Sequence, residues 1–169
     1  GVNSKYGKNL IGTFYQPDLV LSDISILRSL PKKEMICGYA EILKHSLILN
    51  KKLFKWLLNN GSKIINLKND LLMQRAIYAS CKIKAKIVAK DEKENNLRVI
   101  LNFGHTFAHA FETTSKFPKI INHGEAVLMG MICALEFAYL NKLLKYHDLM
   151  IVKKHYRELN LQTDIKKIF

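Results

Sequence analysis

Apolar positions recur at helical spacing along most of this chain. After Pro31, the residues Met35, Ile36, Tyr39, Leu43 and Leu47 fall on one side of a helix running to about Leu49. A proline suits the first turn of such a helix, where its missing N–H goes unused. A short helix follows, and Asn59-Asn60-Gly61 is a breaker pattern expected to interrupt it. Asp70 is placed to cap a longer helix, carried by Leu72, Ala76, Ile77, Ala79, Ile83, Ile87 and Val88. That helix ends near the acidic cluster Asp91-Glu92-Lys93-Glu94 and the turn-like Asn95-Asn96.

Arg98 to Phe103 is a short apolar connector, and Gly104 introduces a helix from about His105 to Ser115, stopped by Phe117-Pro118. Asn122-His123-Gly124 then leads into an almost wholly apolar helix from Glu125. From Asp148 onward charges alternate with Leu, Ile and Tyr, as on a surface helix. Only the first 20 residues break the pattern. They are polar and glycine-containing, then extended, with Leu19-Val20-Leu21 expected as a strand or a buried connector. The fold expected is mostly α, in one domain without an obvious linker.

Composition narrows this picture. A chain of 169 residues that is 49% hydrophobic has the size and apolar content of one domain with a real core. Cys37, Cys81 and Cys133 are odd in number, far apart and form no CxxC pair, which points to a reducing, cytoplasmic setting. The apolar run Ala126 to Leu140 is interrupted by Glu136 and falls short of the about 20 residues that span a bilayer, so a buried core helix is expected. No signal peptide opens the chain, and Gly1-Val2-Asn3 lacks an initiator methionine, as a fragment or processed chain would.

Lys and Arg number 27 against 14 Asp and Glu, a net charge of +13. Such a balance attracts an anionic partner, either nucleic acid or a phosphorylated, carboxylated metabolite. It also arises simply from lysines that solvate helix faces. With few aromatics beside the lysines and no Arg-rich or Gly-Arg tract, a nucleic-acid platform finds little support.

The densest chemistry lies between Arg98 and His109. His105 and His109 stand four apart, so a helix puts both imidazoles on one face, where they can share a zinc ion or simply pack. Thr106 occupies the place of the HExxH glutamate, which argues against a metalloprotease. His123-Gly124-Glu125 adds a third imidazole, and catalytic zinc usually takes three protein ligands. A carboxylate from Glu112, Glu125 or Glu41 would complete the set; spacing does not choose among them, and Glu125 is equally suited to a helix first turn.

Glu41 shares a helix face with Lys44 and His45 among apolar neighbours. The pair is either an intrahelical salt bridge worth a few tenths of a kcal/mol or a half-buried couple awaiting a metal or bound anion. The alternating lysines Lys82, Lys84 and Lys86 cannot all share a helix face, so at most one or two point inward. Lys8-Asn9, beside Gly7, is a polar loop pair.

Four ordered blocks carry a resemblance: GVNSKYGKNLIGTFYQP at Gly1 to Pro17, LPKKEMICGYAEILKH at Leu30 to His45, SCKIKAKIVAKDE at Ser80 to Glu92, and LNFGHTFAHAFE with NHGEAV between Leu101 and Val127. Together they resemble the 3-dehydroquinate synthase family. The resemblance implies the helical C-terminal domain of a two-domain enzyme, with NAD held on an N-terminal α/β domain and zinc on the helical one. It implies the substrate 3-deoxy-D-arabino-heptulosonate 7-phosphate lying between them, converted to 3-dehydroquinate and phosphate in a carbon–oxygen lyase reaction, and homodimers.

By motif position it implies Glu41, His105 and His123 as metal ligands. It sets Lys44, Lys84, Arg98, Asn102, His109 and Asn9 against the substrate and Lys8 near the cofactor. His109 then leaves the metal for the substrate. The chain begins where the NAD-binding domain should have just ended, so a metal site without NAD, and little turnover by this chain alone, are expected. Ala108 stands where the family usually has glycine. Rival expectations are a sister sugar-phosphate cyclase, a metal-dependent alcohol dehydrogenase relative, which would not need Lys84, Arg98 and Asn102, and a non-catalytic basic helical module.

Overall fold

The computed structural model describes residues 2–13, 15–67, 69–114 and 121–161. Strands β1 (Val2–Ser4) and β2 (Gly7–Ile11) form an antiparallel hairpin with Val2 opposite Ile11 and Ser4 opposite Gly7. A 3-10 helix, Ile24–Ser29, precedes α1 (Lys32–Leu49), α2 (Lys51–Ile65) and α3 (Asp70–Val88). A second 3-10 helix, Leu97–Asn102, leads into α4 (His105–Thr114), α5 (His123–Leu140) and α6 (Tyr146–Glu158). The described residues are mostly helical, as expected.

The core forms where α5 meets α1, α4 and α6. Val127, Leu128, Met129 and Met131 are wholly buried in the first half of α5, and each such side chain contributes about 1.5–3 kcal/mol. By length and composition α5 could cross a membrane, but here that apolar half is the interior of a helical bundle. On α1 the expected stripe holds: Met35, Tyr39 and Leu43 are buried, with Ile36 and Leu47 packed at its margin.

Several expectations are corrected. Asn59-Asn60-Gly61 does not break α2, which runs through it. Gly61 is buried where the Tyr39 hydroxyl presses against it, and a Cβ there would lie 3.0 Å from the His155 ring. The glycine permits close helix packing, at a cost of about 1 kcal/mol in helix propensity. The cap of α3 is Asn69, whose side chain accepts from the Leu72 N–H at 3.0 Å. Asp70 is instead the first helical residue and pairs with Arg28 at 2.7 Å.

Leu19, Val20 and Leu21 form neither strand nor buried connector. They lie 72, 71 and 85% exposed, because no described element packs over them. The last described helix, α6, is the expected surface helix, with one face turned inward: Leu149, Val152, His155 and Tyr156 are buried, and the Tyr156 hydroxyl donates to the Leu128 carbonyl at 3.2 Å. Ser115 and the expected stop at Phe117-Pro118 lie outside the described residues.

Candidate metal centre

Two close helix approaches build the site. At the start of α5, Gly124 lies directly on the backbone of Cys37 in α1, and a Cβ there would sit 2.6 Å from the Cys37 sulfur. Gly104, ahead of α4, has φ +81°, in the left-handed region that favours glycine. A Cβ there would lie 2.8 Å from the Met131 backbone nitrogen, and Gly130 of α5 faces the Gly104 carbonyl just as closely. Removing side chains at these crossings lets α1, α4 and α5 meet at backbone distance.

One residue from each helix then converges. The donor atoms of Glu41 (α1), His105 (α4) and His123 (α5) all lie within 4.8 Å of one another. The His105 and His123 rings are 5.5 Å apart, centroid to centroid. His109, one turn along α4, stands 5.6 Å from His105 in an edge-on contact, and the donor cluster does not include it. Two nitrogens and a carboxylate oxygen at such separations are a donor set that one divalent ion can gather.

The remaining carboxylates do other work. Asn122 and Glu125 form a reciprocal capping box for α5, with the Glu125 carboxylate accepting from the Asn122 N–H at 2.8 Å and pairing with Lys33 at 3.2 Å. Glu112 is buried and reaches the Nδ1 of His123 at 2.8 Å. Of the three candidate carboxylates, only Glu41 lies in the donor cluster.

Around it the electrostatics are those of a cation buried beside an anion. The Lys44 side chain is 4% exposed, its ammonium 2.8 and 2.9 Å from the two Glu41 oxygens. Burial holds the Lys44 pKa below the usual lysine range; Glu41 offsets this in part, and Lys84 adds repulsion. Burial works to raise the Glu41 pKa, but Lys44, His45 and His105 outweigh it and hold the carboxyl below its ordinary value. Burial, followed by the Lys44 charge, lowers the pKa of His105 and favours the neutral imidazole that a metal requires. His45 turns into the bundle instead, bonded through Nδ1 to Ser80 Oγ at 2.7 Å and pushed down to about 4 by burial.

The loop after α3 presents Arg98 and Asn102. Asp91 fixes that loop by accepting backbone N–H bonds from Asn95, Asn96 and Arg98, each at 2.9 Å. Glu94, at φ +59°, accepts from the Asn102 side-chain amide at 2.7 Å and stands 3.7 Å from the Arg98 Nε. Sequence does not single out Glu94, since its acidic run marks only a helix end; its separation of four from Arg98 is the available signal. Lys84 is exposed on α3, close enough for its charge to act on Lys44, and His109 is exposed. Lys8 and Asn9 lie in β2, with side chains outside the described residues.

Comparison with known proteins gives a consistent picture. Residues 38–168 match the family model described as 3-dehydroquinate synthase C-terminal, and residues 1–37 match that described as 3-dehydroquinate synthase N-terminal. The 3-dehydroquinate synthase of Pelagibacter ubique (strain HTCC1062) is 57% identical over 169 residues, which cover 100% of this chain and 46% of the relative. That of Bartonella tribocorum (strain CIP 105476 / IBS 506) is 43% identical, over 99% of this chain and 44% of its own length. The chain thus spans less than half the length of these curated relatives.

Among solved structures, a 2-epi-5-epi-valiolone synthase from Streptomyces hygroscopicus subsp. jinggangensis 5008, with NAD+ and Zn2+ bound, superposes with a TM-score of 0.89 at 27% identity, covering 100% of this chain and 47% of that one. A 2-deoxy-scyllo-inosose synthase complexed with carbaglucose-6-phosphate, NAD+ and Co2+ does so with a TM-score of 0.83 at 27% identity, covering 99% and 46%.

Proposed function

Because the chain belongs to the 3-dehydroquinate synthase family, we propose that it carries the metal- and substrate-binding part of an enzyme that converts 3-deoxy-D-arabino-heptulosonate 7-phosphate to 3-dehydroquinate and phosphate. The observation that carries this reading is the convergence of Glu41, His105 and His123 donors within 4.8 Å, from three helices held together at glycines. These residues would hold a divalent ion, zinc by preference for its two imidazoles. The solved cyclases, one with NAD+ and Zn2+ and the other with NAD+ and Co2+, support a divalent metal and NAD in the whole enzyme. Bound there, the ion would supply Lewis acidity at the substrate hydroxyls and NAD a transient hydride acceptor.

The chain's own residues bind and orient. Lys44, Lys84 and Arg98 offset the phosphate and carboxylate charges, and Arg98 can grip either group through two parallel N–H donors. Asn102 offers an amide to hydroxyls; in the described state Glu94 holds both it and Arg98. His109, exposed one turn beyond His105, would hold or move a proton at the substrate. From the hairpin, Asn9 would join the substrate contacts and Lys8 would lie near the cofactor. We further propose a homodimer of the complete enzyme and a cytoplasmic setting, which the three unpaired thiols support.

The relatives at 57 and 43% identity are 3-dehydroquinate synthases, whereas the cyclases of other substrates stand at 27%; this favours the heptulosonate over other sugar phosphates. The test joins this chain behind the N-terminal portion of the Pelagibacter relative and measures phosphate release. Release from the heptulosonate phosphate, with little from sugar phosphates lacking a carboxylate, is expected. Release only from the latter would overturn the substrate assignment.

A further inference from the structure

Glu112 is an acidic side chain 3% exposed, on the inner face of α4, with a carboxylate oxygen 2.8 Å from Nδ1 of His123. A buried carboxylate is costly unless it is hydrogen-bonded, so its position one helix away from a half-exposed imidazole calls for a reason. The His123 ring sits in the first turn of α5, 49% exposed, and touches His105 edge-on at 5.5 Å between centroids. On the far side of the cluster the His105 ring is held the same way, its Nδ1 facing the Phe103 carbonyl at 3.4 Å. In both rings the nitrogen engaged by protein is Nδ1, which leaves Nε2 for the convergence with Glu41.

We propose that Glu112 is a positioning residue: its carboxylate accepts the Nδ1–H of His123, fixes the ring's tautomer and angle, and so presents Nε2 to the metal beside Glu41 and His105. The inference rests on the metal reading given above and deepens it. A carboxylate behind a ligating imidazole raises its basicity and removes its rotational freedom, and loss of such a partner typically costs 10–100-fold in metal affinity. His123 is in turn one charge-assisted partner of the buried Glu112.

The test titrates Co2+ into the purified chain and its Glu112→Gln variant, following the visible absorption of the bound ion, with Tyr156→Phe as a control. That control loses a buried hydrogen bond to the Leu128 carbonyl and touches none of the three donors, so it should lower Tm while leaving Co2+ affinity and spectrum unchanged. Glu112→Gln should weaken Co2+ binding about 10–100-fold and alter the band shape, with unchanged far-UV circular dichroism. Equal affinity and an identical spectrum would overturn the proposal.

Should Glu112→Gln fail to fold, nitrogen-15 NMR of the zinc-loaded wild-type chain decides alone. Coordination of His123 through Nε2 with a proton on Nδ1 is expected, and coordination through Nδ1 would overturn the proposal. A wild-type chain that takes up no divalent ion would overturn the metal reading and this inference together; metal uptake indifferent to Glu112 would overturn this inference only.

Discussion

Gly124 rests on the backbone of Cys37, and this contact sets the distance between Glu41 and His123. Cys37 stands one turn before Glu41 on α1, and Gly124 directly follows His123 on α5, so this contact brings together the two backbones that carry the donors. A methyl group at this point has no room, since its nearest obstacles include the Cys37 backbone, which cannot swing aside. Gly124→Ala should therefore destabilise the chain by about 1–3 kcal/mol and weaken Co2+ binding. A chemical denaturation curve paired with a Co2+ titration checks this; unchanged affinity would show that the approach of α5 to α1 does not set the site.

Glycines elsewhere give a graded contrast. Gly38, on the exposed side of α1, has nothing within 4 Å of the point where a methyl group would stand, so Gly38→Ala should stabilise the helix by roughly 0.5–1 kcal/mol. Gly104→Ala faces both the positive φ and the Met131 backbone, and should destabilise by at least about 1 kcal/mol. Urea midpoints of the two variants should move in opposite directions. Movement in the same direction would contradict the packing described for these helices.

A metal ion bound at Glu41 would have to compete with Lys44 for the carboxylate. The ammonium sits against both Glu41 oxygens, so any cation arriving there meets a like charge. Lys44→Met keeps the side-chain bulk in a buried position while removing the charge, and should leave stability nearly unchanged because Glu41 is 40% exposed and can be solvated. Co2+ affinity at low salt should rise about tenfold, in line with a screened interaction of about 1–2 kcal/mol. Weaker binding in the variant would mean that Lys44 organises Glu41 instead of competing for it.

Acid should destabilise this chain through its buried histidines. His155 is buried among Tyr39, Phe54 and Gly61, bonded through Nε2 to the Tyr39 hydroxyl at 2.7 Å. Its Nδ1 is buried without a hydrogen-bond partner among the described residues. Burial pushes its pKa down to about 4, against the weak opposing pull of Glu158. An unfolded histidine titrates near 6.5, so the unfolded state gains the proton first as pH falls. The stability from neutral His155 is complete above about pH 6.5 and is lost progressively down to about pH 4, a change of about 3 kcal/mol. His45, also near 4, adds a loss of the same sign. Urea denaturation at pH 7.5, 5.5 and 4.5 measures it, and His155→Gln should flatten the slope; a variant with the wild-type slope would contradict the assignment.

Helix periodicity makes α1, α3 and α5 legible, because each carries an apolar stripe or core long enough to outweigh local signals. What periodicity does not show is the use of a glycine. Gly61 has the local pattern of a breaker within Asn59-Asn60-Gly61, yet it serves a helix crossing that involves His155, far along the chain. Asn69 and Asp70 are both suitable caps, and only geometry separates neighbours of like chemistry. At the site, spacing alone pairs His105 with His109 and leaves Glu41, Glu112 and Glu125 equivalent. The structure separates these carboxylates by long-range contacts: one in the donor cluster, one behind an imidazole, one in a capping box. Glu94 escapes a sequence reading because its partners depend on the loop turning back at positive φ.

The most direct measurement is metal analysis of the purified chain beside Glu41→Ala, His105→Ala, His123→Ala and His109→Ala. The wild type and His109→Ala should each retain about one divalent ion per chain, zinc when it is supplied, and the other three should lose it. Stoichiometric metal retained by His123→Ala but lost by His109→Ala would contradict the centre assigned here and restore the pairing that spacing alone suggests.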